Sequence, residues 1–340
     1  MKHILSGAAA VALVLPVLLT SGAVATADQA PAAARTTHRL RVTGYALGGT
    51  SPQVIAASAK ALTTVTVDGV SINAAGTGVA RPEAETAAVR REAHRQGLRA
   101  ELLVSNYSND LEDFDPAAAH GLLSSAANIS HVSRRLAQYV TSGHYDGVNI
   151  DLEIVASRDA AGLIRFAVAL QQELPTASTV SVDISAATSV AEYRSQGYAL
   201  KKLGAVVDVV QVMTYDQHGP GWSGPGPIGD LRWQKKALAA LLTQVPAAKV
   251  DLGQADYGYA WHTSGKGTEL TDRRARAAVR NDGARAVWHS DSGEWSATLT
   301  NGSKLWWADA RSYAIRKKLA ADHGLHGLAV WVLGSADPLR

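Results

Sequence analysis

The chain repeats one unit: a short run rich in branched aliphatic residues, then a longer segment whose apolar residues recur at helical spacing. Eight such runs occur, starting at Leu40 (LRVTGYAL), Leu62 (LTTVTVDGV), Leu98 (LRAELLVSN), Gly147 (GVNIDLE), Thr179 (TVSVDISAA), Val206 (VVDVVQVMTY), Lys249 (KVDLGQADYG) and Gly327 (GLAVWVLG). Between them, helical patterns are read over 81–96, stopped by Gly97; 130–140; 157–174, ending before Pro175; 231–242, with Asp230 as N-cap; and 309–323, ending at Gly324. Strands that alternate with helices pair in parallel, because a helix carries the chain back to the starting edge of the sheet. Eight units predict an α/β chain folded as a (β/α)8 TIM barrel, for which about 250 residues is typical. A doubly wound open sheet is the alternative. The interval between the seventh and eighth strands is too long for one helix. Its 262–305 stretch holds short alternating runs, AVWHS and EWSATLT, between Asp- and Gly-rich turns, which predicts a small α+β insertion rather than a second domain.

The N-terminus carries Lys2 and His3, an apolar run over about 8–19, and the small-residue sites Ala23-Val24-Ala25 and Ala25-Thr26-Ala27. These mark residues 1–27 as a secretory signal peptide. The run falls short of the roughly 20 residues a spanning helix needs, so a secreted, extracellular protein without stable membrane insertion after cleavage is expected, with a membrane anchor as the lesser reading. Residues 28–37, rich in Ala, Pro and Thr, form an expected disordered lead-in, leaving 38–340 for the barrel. Export permits disulfides, yet the chain has no cysteine, so thiol nucleophiles and Cys-ligated metals are excluded and stability must come from packing. Lys plus Arg exceeds Asp plus Glu by only 33 − 30 = 3, and the basic residues are scattered in pairs. No nucleic-acid partner is expected from that pattern.

In the fourth run, Val148, Ile150 and Leu152 alternate with Asn149, Asp151 and Glu153, so three polar side chains share one face of a strand. On an antiparallel strand with one wet face this alternation is ordinary. In a parallel barrel both faces are buried, and carboxylates left unpaired in the interior cost several kcal/mol. Glu153 would stand at the C-terminal end of its strand, the end at which barrel enzymes place their chemistry.

The stretch Asp146-Gly147-Val148-Asn149-Ile150-Asp151-Leu152-Glu153 resembles the DGxDxDxE signature of glycoside hydrolase family 18, the chitinases and their relatives. Gln211 to Asp216 resembles the family's M-x-Y-D on the sixth strand, and Gly327 through Trp331 to Gly334 its last strand. Gly44-Tyr45, Tyr257-Gly258 and WADARSYAIRKKLAADHGLHG agree more weakly, and the likeness spans roughly 40–337. It implies a retaining, substrate-assisted glycosidase acting on chitin or chito-oligosaccharides, without metal or other cofactor, in which the substrate's acetamido oxygen is the nucleophile. Glu153 would be the general acid and later the base. Asp151 would orient the acetamido group, and Tyr215 would donate its hydroxyl to it. Asp146, Asn149, Met213, Asp216, Trp331 and Tyr45 would line the sugar site, although Met213 reads equally well as core. Asn149 departs from the usual aspartate: an amide hydrogen-bonds but carries no charge, so the family's typical pH behaviour is in doubt. GVNID also resembles bacterial members acting on cell wall or spore cortex, which keeps peptidoglycan open as a substrate. A lectin-like barrel that binds sugar without cleaving it is the rival from another class, and the retained Glu153 argues against it.

All eight tryptophans lie after residue 220. Flat aromatic faces suit pyranose rings, and Trp331 is the expected platform; Trp222, Trp261 and Trp295 either extend the cleft or pack the insertion. Gly224-x-Gly226-x-x-Gly229 fits a dinucleotide pattern literally, but Pro225 and Pro227 remove the backbone donors it would need. The eleven histidines form no HExxH cluster, His218 reads as a loop residue, and no GxSxG elbow occurs.

Overall fold

The computed structural model describes residues 39–265 and 267–340; the expected signal peptide and the lead-in lie outside the described residues. All eight runs form strands: β1 (Arg41–Ala46), β2 (Thr64–Ser71), β3 (Arg99–Ser105), β4 (Gly147–Asp151), β5 (Thr179–Ser185), β6 (Val209–Met213), β7 (Val250–Ala255) and β8 (Gly327–Trp331). They pair in parallel in chain order, and β8 closes onto β1 with Val42 opposite Leu328. A closed barrel replaces the open-sheet alternative. It also removes the wet-edge reading of β4, whose Asn149 stands opposite Leu103 of β3 on one side and Ser181 of β5 on the other.

The outward face of the barrel explains the aliphatic runs. Val148 and Ile150 of β4, Val180 and Val182 of β5 and Val210 and Val212 of β6 are buried in one core with Leu136, Val140, Leu163, Phe166, Leu170 and Leu238 from the surrounding helices. Removing that apolar surface from water drives closure of the outer layer. The five expected helices are found at Ala84–Arg95, Ala126–Gly143, Ala160–Glu173, Leu231–Leu242 and Ala310–Asp322. Asp230 caps its helix as expected, accepting from the backbone N–H of Arg232 (2.8 Å) and Trp233 (3.2 Å). The helix before β4 begins four residues earlier than its pattern predicted, because Ser125 caps it by accepting from Asn128 N at 3.3 Å.

Two glycines allow close approach between neighbouring strands, Gly147 where β4 begins and Gly69 toward the site end of β2. A Cβ on Gly147 would lie 2.3 Å from the carbonyl oxygen of Thr179, so the glycine of the motif allows β4 to approach β5. A Cβ on Gly69 would lie 2.4 Å from Leu102, where the β2–β3 register shifts between Val67 and Val70. The resulting bulge re-aims Asp68 at the rim of the barrel.

The insertion between β7 and β8 is α+β, as expected, but wider than 262–305. A five-stranded antiparallel sheet runs in the order Thr268–Leu270, Gly258–Trp261, Lys304–Trp307, Glu294–Thr298, Val287–His289. Ala275 and Val279 of the helix Asp272–Asp282 pack on Ala260, Ala297, Leu305 and Trp307 of that sheet. The first strand was masked in the sequence by following β7 after only Asp256 and Tyr257.

Candidate active site

The barrel interior is polar on several strands, not on β4 alone. Ser181 Oγ donates to Glu101 Oε2 of β3 at 2.7 Å, and Asn149 Nδ2 donates to Ser181 Oγ and to Asp183 Oδ1, both at 3.0 Å. Asp183 Oδ1 also accepts from the Tyr45 hydroxyl at 2.6 Å, and that hydroxyl bonds to Gln211 of β6 as well. At the N-terminal end of the barrel, His326 Nδ1 and Asp251 Oδ1 of β7 lie 2.7 Å apart. Polar partners thus satisfy most of the lower and middle layers, although Asn149 Oδ1 has none within the protein.

At the C-terminal end the pattern changes. Asp151 Oδ1 is buried and has no partner within the protein. Burial, and then the charges of Asp183, Glu153 and Asp68, push the Asp151 carboxyl well above the ordinary aspartate range. Two residues on, Glu153 is half-buried, and burial followed by the charges of Asp183, Asp216 and Asp113 pushes it up to about 8. Its backbone is clamped by a residue the sequence reading passed over. Asn106, just beyond β3, accepts from Glu153 N at 2.8 Å and donates to Glu153 O at 3.0 Å. The next residue, Ile154, has φ +54°, a left-handed conformation costly for a β-branched side chain and typical of sites that hold strain.

Asp151 and Trp331 line a cavity of about 570 Å³ together with Asp68, Ser105, Tyr107 and Phe114. Tyr107 and Phe114 meet edge-on at 5.6 Å in a two-stranded loop after β3 and form an aromatic lip. Trp331 and Tyr215 also join a cluster with Tyr257, Tyr259, Trp261 and Trp306, so the insertion continues the aromatic wall from the barrel. Trp222 meets Tyr259 edge-on at 5.8 Å and is 57% exposed, whereas Trp295 stacks against Trp307 inside the insertion. Asp216, at φ +55°, accepts from the hydroxyls of Tyr257 (2.5 Å) and Tyr259 (2.8 Å), which ties this wall to the end of β6. Met213 is partly buried at the last position of β6, on the same strand face as Gln211.

Glu153, Asp151, Tyr215, Asp216, Met213 and Trp331 therefore gather at one end of the barrel. Three residues expected at the sugar stand elsewhere. Asp146 precedes β4, and its carboxylate takes the N–H of Ala100 and lies 2.8 Å from His94 Nε2 at the opposite end. Asn149 is 0% exposed, one layer below Asp151. Tyr45 is 3% exposed, its ring 5.5 Å from that of Trp331 and its hydroxyl turned inward to Asp183. These two support the layer that faces the cavity. Asp183 and Asp68 were missed, although both lie in alternating rows, VSVDIS and TVTVD, of the kind that marked β4.

Comparison with known proteins agrees with this arrangement. The sequence profile described as "Glycosyl hydrolases family 18" matches residues 53–336. An uncharacterised glycosylase of Bacillus subtilis is 27% identical over 253 residues, covering 72% of this chain and 73% of that one. A cortical fragment-lytic enzyme of Bacillus anthracis is 24% identical over 283 residues, covering 79% of this chain and 64% of the relative, so this chain spans just under two thirds of that protein. The crystal structure of a chitinase from Chromobacterium violaceum superposes with a TM-score of 0.79 at 26% identity, covering 88% of this chain and 95% of that one. With its closed eightfold barrel, its carboxylates at the end of β4 and a profile match across most of its length, the chain belongs to glycosyl hydrolases family 18 and is a glycoside hydrolase.

Proposed function

We propose that the protein is a retaining glycosidase that hydrolyses β-linked N-acetylglucosamine polymers, chitin or its oligosaccharides, with Glu153 as the proton donor. The observation that carries this reading is the placement of Glu153: it stands two residues beyond Asp151, which lines an aromatic-walled cavity, and burial and acidic neighbours push its carboxyl up to about 8. A proton donor of that kind is what departure of a glycosidic oxygen needs. In the substrate-assisted route the acetamido oxygen attacks the anomeric carbon as Glu153 protonates the leaving oxygen. Asp151, whose Oδ1 has no protein partner, accepts the acetamido N–H and steadies the cationic ring, and Tyr215 holds the acetamido oxygen. Glu153, now ionised, then takes the proton of the attacking water. Trp331 is the platform under the reacting sugar. The leader read in residues 1–27 carries the enzyme out of the cell, where such polymers lie.

Peptidoglycan is the second reading. The name of the Bacillus anthracis relative favours it, and so does Arg81, a cation that lines the same cavity as Asp151 and would suit the lactyl carboxylate of N-acetylmuramic acid. The test is release of reducing ends from chito-oligosaccharides and from peptidoglycan by wild type and Glu153→Gln. Turnover of either polymer that collapses in the variant supports the assignment and selects the substrate. Binding without turnover in wild type would make the barrel a lectin.

A further inference from the structure

We infer that a cationic groove on the outside of the barrel binds carboxylates carried on a peptide branch of the glycan whose sugars enter the Asp151 cavity. The inference deepens the peptidoglycan reading and rests on it, since chitin carries no anionic branch. The groove has a volume of about 440 Å³ and is walled by residues of the helices Ala84–Arg95 and Ala126–Gly143. Arg81, Arg90 and Arg135 line it, against a single carboxylate, Glu83. Among the described residues, the arginines in ion pairs are Arg95, Arg158, Arg232, Arg276 and Arg316. The three arginines of the groove stand outside that set, so their charge is not spent on holding the fold together.

Two features separate this groove from an ordinary basic surface. Arg90 Cζ lies 5.6 Å from the ring centre of Tyr145, and Arg135 Cζ lies 5.9 Å from that of Tyr139. An aromatic backing orients a guanidinium and leaves its N–H fork free for a planar oxyanion such as a carboxylate. Arg90 Nε and the hydroxyl of Tyr145, a residue only 7% exposed, are also buried without a partner in the protein. Buried donors are nearly always paired, and two left open in one cationic groove fit a ligand that brings several acceptor oxygens and a negative charge. Both donors are shielded from solvent, so the ligand reaches them as the long Arg90 side chain turns toward it. The link to the cavity is structural: Arg81 and Glu83 line the groove and the Asp151 cavity alike. They follow β2 and lead into the helix Ala84–Arg95, so the groove starts at the cavity rim and continues down the outer layer. A peptide hung on the lactyl group of a sugar at Asp151 would carry its carboxylates past Arg81 to Arg90 and Arg135.

The experiment is a calorimetric titration of the protein carrying Glu153→Gln, which prevents turnover, with two soluble fragments: the N-acetylglucosamine–N-acetylmuramic acid disaccharide bearing its stem peptide, and the same disaccharide with the peptide removed. Both keep the lactyl carboxylate, so the ratio of their affinities reports the branch alone. That ratio should be about tenfold or more in favour of the peptide-bearing fragment, the scale of a hydrogen bond to a charged group, and should shrink as salt is added. Adding Arg90→Gln/Arg135→Gln should bring it to within about twofold of one. Arg135 is exposed, so Arg135→Gln alone, with an expected severalfold fall in the ratio, keeps the test readable if the double variant does not fold. Equal affinity for the two fragments, no binding of the peptide-bearing one, or a preference that survives the substitutions would overturn the proposal. Binding of inorganic phosphate at the groove without any peptide preference would do so as well, by assigning the site to a free anion. Release of reducing ends from peptidoglycan by wild type, with no peptide preference in binding, would leave the substrate reading standing and remove the groove from it.

Discussion

Glu294 and Glu153 are both pushed up by burial, yet their surroundings are opposite. Glu294, in the insertion, is 1% exposed and accepts from the N–H groups of Ile228 (2.7 Å) and Gly229 (2.8 Å), with the Arg316 guanidinium 3.3 Å away. Arg316 in turn donates to Gly293 O, Gly229 O, Ser292 O and Gln234 Oε1, binding the β6 loop, the insertion and two helices to one another. Glu153 has burial without a cation, and the charges that act on it are Asp183, Asp216 and Asp113. Burial raises both carboxyls, but at Glu294 the cation and two amides oppose it. On the proposed reading, the contrast separates an ion pair that fastens the scaffold from an acid kept ready to give up a proton.

Exchanging these surroundings tests the distinction. Glu153→Gln should cost about 10²–10⁴-fold in turnover, the usual worth of general acid catalysis, while leaving the circular dichroism spectrum unchanged. Arg316→Met should do the reverse. Leaving Glu294 buried without its partner should lower unfolding free energy by about 3–5 kcal/mol in urea titrations, with chemistry intact at temperatures where the variant stays folded. Asn106→Ala, which frees the backbone of Glu153 without touching its carboxyl, should lower kcat by about tenfold through misplacement, read in single-turnover experiments. The smallest effect is one of linkage. Because Glu153 binds its proton more tightly folded than unfolded, wild type should lose stability as pH rises from the ordinary glutamate range toward 8. Glu153→Gln should lack that component of the decline, as seen in thermal melts across the range.

The fold was legible because hydrophobic period and length are local properties. Eight aliphatic runs of strand length and the helical spacing between them survive in any context, and all eight became barrel strands. The short helices Pro52–Ser58, Val190–Ser195 and Leu200–Val206 were not legible, since one or two turns show too little periodicity. The site was legible where a motif coincided with a strand end, as at Glu153 and Trp331. The motif misled at Asp146, which shares its signature but not its end of the barrel: the five-residue strand β4 and Leu152 lie between it and Glu153, seven extended steps or roughly 23 Å at most. Asp183 carried the same alternating signal as β4 and needed only the recognition that every inward face in a closed barrel meets the others. Asn106 could not be assigned from sequence, because a loop clamp is set by the register between strands, which emerges on closure, and the bulge that turns the alternating row of Asp68 to the rim is set in the same way.

The central claim is that Glu153 is a protonated acid at working pH because its burial is uncompensated. The most direct measurement is the pH dependence of kcat/KM on a chito-oligosaccharide or peptidoglycan, whichever the enzyme turns over. The account predicts activity that holds through neutrality and falls as pH rises through about 8, where the Glu153 proton is lost. A descending limb in the ordinary glutamate range, near 4 to 5, would show a carboxyl titrating as though solvated and would contradict it.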